Sequence, residues 1–126
     1  MMTTVLLVED SLTETELLTR YLNQAGVIVV SATNCEEARI AMRSQKPDLV
    51  LLDVMLPGQS GFELCRELKI HASTSQIPVV ICSTKGTDVD KLWGAMLGAN
   101  AYLPKPVDQK ELTDTVRRLT TTLGTV

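Results

Sequence analysis

The chain has 126 residues, enough for one domain around one hydrophobic core and too few for a second. Hydrophobic residues make up 44% and charged residues 21%, the balance of a soluble globular protein, whereas 3% aromatics leave little material for stacking a flat ring. A net charge of −3 with no run of Lys or Arg argues against a nucleic-acid binder, which needs clustered cations to neutralise phosphates.

The first apolar run, Val5–Val8, precedes a helical pattern in which Leu17, Leu18, Tyr21, Leu22 and Ala25 share one face and Gly26 offers a left-handed stop. A second run, Val27–Val30, leads to "NCEE" from Asn34, a helix opening. The third, Leu49–Leu52, runs into Asp53, then Val54, Met55, Leu56 and a Pro57–Gly58 turn. After the fourth run, Val79–Cys82, "TDVD" from Thr87 opens a helix that Gly98 closes. In that helix Leu92 and Met96 are expected to face the core, leaving Trp93 at the edge of that face, either packed or exposed as an aromatic anchor for a partner. The fifth run, Ala101–Leu103, is followed by "DQKE" from Asp108, with capping-box spacing and Asp in place of Ser or Thr. A helix with Leu112, Val116, Leu119 and Leu123 in one stripe ends the pattern. The runs are continuous rather than alternating, as in strands covered on both faces of a parallel sheet. Five β-then-α units predict a doubly wound (βα)5 α/β sandwich, a single domain over 4–124 with no linker or repeat.

Cys35, Cys65 and Cys82 are odd in number, widely spaced and form no zinc pattern, so they are read as buried or half-buried thiols. His71, the single histidine, lies in the polar stretch "KIHASTSQ" and is expected in a solvated loop. "MMTTVLLVED" lacks the features of a signal peptide and no segment is long enough to span a membrane, which makes a cytoplasmic location the expectation.

Doubly wound sheets bind ligands at the carboxyl ends of their strands. There the sequence places Glu9 and Asp10 after the first run, Asp53 after the third, Ser83 and Thr84 after the fourth and Lys105 after the fifth. If the first and third strands are neighbours, three carboxylates crowd one edge. Two unit charges about 5 Å apart repel by roughly 3 kcal/mol at an effective dielectric near 20. A divalent cation relieves this at neutral pH, and oxygen-only ligands suit Mg2+, which keeps several waters and accepts phosphate oxygens. A carboxylate at a strand end, beside a metal and facing a lysine, is equipped to attack phosphorus as a nucleophile.

The pieces "LLVEDS" (6–11), "DLVLLDVMLPGQSG" (48–61), "PVVICST" (78–84) and "YLPKP" (102–106) stand in order, and the chain resembles the response-regulator receiver domains of two-component signalling over essentially its whole length. The resemblance implies a flavodoxin-like sheet in the order 2-1-3-4-5 and Asp53 as phosphoacceptor. It implies Mg2+ held by Glu9, Asp10, Asp53 and the backbone carbonyl of Met55. It places Ser83, Thr84 and Lys105 on the phosphoryl group, a cis bond before Pro106, and a switch in which Ser83 moves toward the phosphate and Tyr102 swings inward. Met55 and Lys85, two residues after Asp53 and Ser83, flank the path of an attacking water and are expected to tune the lifetime of the phosphoaspartate.

The implied role is a phosphorylation-dependent switch with a histidine kinase as phosphodonor. A downstream protein would bind the face of the fourth helix, fifth strand and fifth helix, with the chain a monomer or weak dimer and no output domain. Beyond its own aspartyl phosphorylation and dephosphorylation it is not expected to be an enzyme. "STKGTDVDKLWGAMLGANAYLPKP" is similar to receivers of chemotaxis-like systems that steer pilus-driven twitching or phototaxis. Alternatives are a phosphate sink draining a shared kinase, a haloacid-dehalogenase-like phosphatase and a flavodoxin-like flavin carrier. The phosphatase would want its nucleophile on the first strand and a second acid where Met55 stands. The flavin carrier would meet a phosphate-repelling "EDSLT" loop.

Overall fold

Strands of four or five residues, separated by helices that open on capping side chains, give ten alternating elements among the described residues. The computed structural model describes residues 2–84 and 87–120. In order they are β1 (Thr4–Val8), α1 (Leu12–Gln24), β2 (Ile28–Ala32), α2 (Cys35–Ser44), β3 (Leu49–Leu52), α3 (Gly61–Ile70), β4 (Val79–Ser83), α4 (Asp88–Met96), β5 (Ala101–Pro104) and α5 (Gln109–Thr120). The strands are parallel in the order β2-β1-β3-β4-β5, a flavodoxin-like doubly wound sheet.

Short polar side chains start the helices. Ser11, Asn34, Ser60 and Thr87 each accept a hydrogen bond from a first-turn backbone N–H, and Asp108 does the same for Glu111 at 2.9 Å. Caps of this kind are worth about 1 kcal/mol each. Gly26 and Gly98 end α1 and α4 with φ of 81° and 101°. Period-two alternation divides the central strands between two cores. Leu6, Val8, Val50, Leu52, Val79 and Ile81 pack toward Ala38, Leu64, Cys65 and Leu68 of α2 and α3. Val5, Leu7, Leu49, Leu51, Val80 and Cys82 pack toward Leu18, Leu22, Leu112 and Val116 of α1 and α5.

Two expectations need correction. The second strand is Ile28–Ala32, one residue later than its apolar run, and it is an edge strand on which Ile28 and Val30 stay exposed. Among the described residues only β1 pairs with it, so it is not covered like the central strands. In α4, Leu92 and Met96 do not face the core: both are exposed, together with Val89 and Trp93. The buried residue of that helix is Gly94, which lies against Ile81 and Tyr102 and turns the large apolar side chains outward. Leu123 lies outside the described residues.

The three cysteines are buried, with the Cys35 thiol donating to the Gln59 carbonyl at 3.4 Å. His71 is exposed at the end of α3. Arg39 of α2 grips Glu67 of α3 through Nε at 2.7 Å and Nη2 at 2.9 Å, and also donates to Gln59. This bidentate clamp ties α2 to α3 and to the loop that carries the chain away from Asp53. Among the described residues, no helix is long and apolar enough to cross a membrane.

Candidate functional site

Strand register builds the site. Val8 pairs with Leu52, so the next residues, Glu9 and Asp53, leave the sheet side by side. The ladder runs one step further to hold them: Asp53 N–H donates to the Val8 carbonyl at 3.0 Å and Glu9 N–H to the Ala32 carbonyl at 2.9 Å. Carboxylate oxygens of Glu9, Asp10 and Asp53 lie within 4.8 Å of one another. On the other side Ser83 pairs with Pro104, and Lys105 N–H donates to the Ser83 carbonyl at 3.0 Å. The Lys105–Pro106 peptide is cis. From there the Lys105 ammonium reaches Glu9 Oε1 at 2.5 Å and Asp53 Oδ2 at 3.5 Å.

Glu9 is only 2% exposed and Asp53 7%, while Asp10 is exposed. Burial lifts the Glu9 pKa above the usual carboxylate range, more than the Lys105 hydrogen bond and the Ser11 N–H lower it, and the charge of Asp53 adds to the rise. Burial works against the Lys105 ammonium too. Its hydrogen bond to Glu9 and the charges of Asp53 and Glu9 outweigh that and hold its pKa above normal. The lysine thus sits on two carboxylates while the third has no ion pair among the described residues. A set of oxygen donors, anionic and partly desolvated, fits a hard dication such as Mg2+ and offers nothing to a thiophilic metal.

Around this centre the remaining candidates fall at different depths. Ser83 is fully buried at the end of β4. Burial and the charge of Asp90 raise the pKa of the Tyr102 phenol, against a smaller lowering by the Ser83 side chain. Thr84 is exposed, with Oγ1 4.0 Å from Met55 Sδ. Met55 is itself 57% exposed over the mouth of the site, and its N–H donates to Asp53 Oδ1 at 3.3 Å. Trp93 is 48% exposed on α4. Lys85 lies outside the described residues.

Two glycines went unnoticed in the sequence. Gly61 starts α3 directly against the backbone of Asp53 and Val54, and Gly94 lets α4 approach Tyr102. "PGQSG" marks a turn, but turn chemistry does not reveal which glycine is pressed against backbone.

The family profile described as "Response regulator receiver domain" matches residues 5–117. Protein PilH of Pseudomonas aeruginosa is 44% identical over 115 residues, 91% of this chain and 95% of that protein. The phosphate regulon transcriptional regulatory protein PhoB of the same organism is 39% identical over 109 residues, 86% of this chain but 48% of the relative, so the chain spans about half the length of that regulator. Among solved structures, the Vibrio cholerae chemotaxis protein CheY4 superposes with a TM-score of 0.87 at 27% identity, covering 94% of this chain and 99% of the other. With the acids, the hydroxyl and the lysine standing where strand register delivers them, the chain belongs to the response-regulator receiver domains of two-component signalling.

Proposed function

We propose that the chain is a switch operated by phosphorylation of Asp53, with a histidine kinase as donor and Mg2+ held by Glu9, Asp10, Asp53 and the Met55 carbonyl. The observation that carries this reading is the Asp53 carboxylate, nearly buried, with an ammonium 3.5 Å away and two more acids within 4.8 Å. In the transfer, an Asp53 oxygen attacks phosphorus as the P–N bond to the kinase imidazole breaks, and the leaving imidazole keeps the bonding pair and takes up a proton. Bound Mg2+ supplies positive charge against the phosphoryl oxygens. Lys105 turns from Glu9 toward those oxygens, and the Ser83 and Thr84 hydroxyls donate to them. The chain acts on no other substrate. Intact mass after incubation with a small phosphodonor and Mg2+ tests this: a wild type that gains one phosphoryl group supports the reading, and an unchanged mass overturns it.

Lys105 makes the metal-free site self-neutralising, with a measurable consequence. Lys105→Met leaves Glu9 buried without its partner and costs the metal-free protein about 3 kcal/mol. The same change removes a cation that competes for Glu9, so Mg2+ binds about tenfold more tightly. Urea denaturation at several Mg2+ concentrations reads both effects; a variant with unaltered midpoint and metal dependence would show that the pair carries no weight.

Output runs through Ser83 to Tyr102 and so to the face of α4, β5 and α5. Val89, Leu92, Trp93 and Met96 form an exposed apolar strip on α4, suited to a downstream protein. Similarity to PilH and to receivers of chemotaxis-like systems supports a role in motility; unchanged surface movement in cells lacking the chain would refute it. Met55 over the site mouth slows attack of water on the phosphoaspartate, and Met55→Asn shortens its lifetime several-fold, on the scale of a fraction to about 1 kcal/mol in the barrier. Equal rates of phosphate loss from the two proteins would remove Met55 from this role.

A further inference from the structure

Gly94 is the buried residue of α4, and it brings the helix backbone directly onto Tyr102. A methyl group there would stand 3.2 Å from Tyr102 Cδ2, 3.5 Å from Tyr102 Cε2 and 3.2 Å from Ile81 Cδ1. Two of these are closer than the optimum of about 3.5–4.0 Å for carbon contacts. Glycine inside a helix lowers the folding equilibrium roughly four- to fivefold relative to alanine, so the position carries a cost that the local chain does not require. What the missing side chain provides is room for a ring, and the ring that fills it carries a phenol whose electrostatics the fully buried Ser83 side chain influences. The four large apolar residues of α4 are turned away and do not compete for that space.

We propose that Gly94 is the positioning residue for Tyr102: its bare backbone holds open the slot in which the ring reaches Ser83, so the residue at 94 sets how far inward Tyr102 rests. The proposal rests on the switch reading above, but its test does not. Two measurements on unphosphorylated protein suffice. The first is a cycle of Gly94→Ala and Tyr102→Ala followed by urea denaturation. Alanine at 94 raises the folding constant of the Tyr102→Ala protein roughly four- to fivefold, the full helix-propensity gain, and gives the wild type little or none of it. The second uses a Tyr21→Phe background, in which Tyr102 is the remaining tyrosine. There Gly94→Ala moves the phenol titration to lower pH, because the displaced ring gains water and leaves the charges of Asp90 and Asp53. Equal gains in both backgrounds with an unmoved phenol overturn the proposal. So does a gain released by Ile81→Val instead of Tyr102→Ala, which would make Gly94 a clearance for the core. Failure of Asp53 to accept phosphate would sink the functional reading and leave the outcome of this cycle standing.

Discussion

Asp53→Asn leaves the chain folded and unable to take up a phosphoryl group: its intact mass stays constant under conditions in which the wild type gains one. The carboxamide matches the carboxylate in size but has no anionic oxygen to attack phosphorus, and loss of a nucleophile costs about a thousandfold or more in rate. Neighbouring acids do not substitute. Glu9 is buried and held by Lys105, and Asp10 is exposed, while among the described residues the Lys105 ammonium pairs with Glu9 and Asp53. The substitution also removes one of three clustered carboxylates, so metal-free stability rises by about 1 kcal/mol. An adduct of equal yield on the Asp53→Asn protein would place the phosphoacceptor elsewhere.

Gly61→Ala has the largest expected effect on stability. A methyl group there overlaps the Asp53 carbonyl oxygen and stands 2.8 Å from the Asp53 carbonyl carbon and 2.9 Å from Val54 Cα. These are backbone atoms and cannot rotate aside, so α3 or the end of β3 must shift. Overpacking with flexible neighbours costs about 1–3 kcal/mol; against fixed backbone about 3 kcal/mol or more is expected, a large part of the stability of a domain this size. Because the displaced group is Asp53 itself, phosphoryl uptake falls as well. Gly58→Ala is the control: its φ is 80° with nothing within 4 Å of an added methyl, so it costs only the left-handed penalty of about 1–2 kcal/mol. Urea midpoints separate the two, and a Gly61→Ala protein no weaker than Gly58→Ala would contradict the close approach.

Much of this was legible in the chain. Leu49–Leu52 ending in Asp53 identifies a buried strand that delivers a carboxylate, and the capping types at Asn34, Thr87 and Asp108 mark helix starts the structure keeps. Strand order was another matter: nothing local tells β1 to insert between β2 and β3, and the order came from the family resemblance. A continuous apolar run does not distinguish a central strand from an edge, which is why β2 misled. In α4 periodicity revealed a stripe but not its direction, since large apolar residues can face outward when a glycine takes the inner position. The pairing of Lys105 with Glu9 joins residues 96 apart and follows from register. The tight contacts of Gly61 and Gly94 depend on how elements stack after they form.

The buried cysteines make the folded chain nearly inert toward thiol chemistry. Burial pushes the Cys65 thiol to about 11 and Cys82 to about 12, and raises Cys35 as well. Since the thiolate is the reactive form, all three stay protonated at neutral pH and hidden from alkylating reagents. The native chain is therefore already a cysteine-silent background. A single thiol introduced at exposed Ala95 on α4 would be the one position open to a cross-linker, and a downstream protein could be trapped there covalently without first removing any native residue.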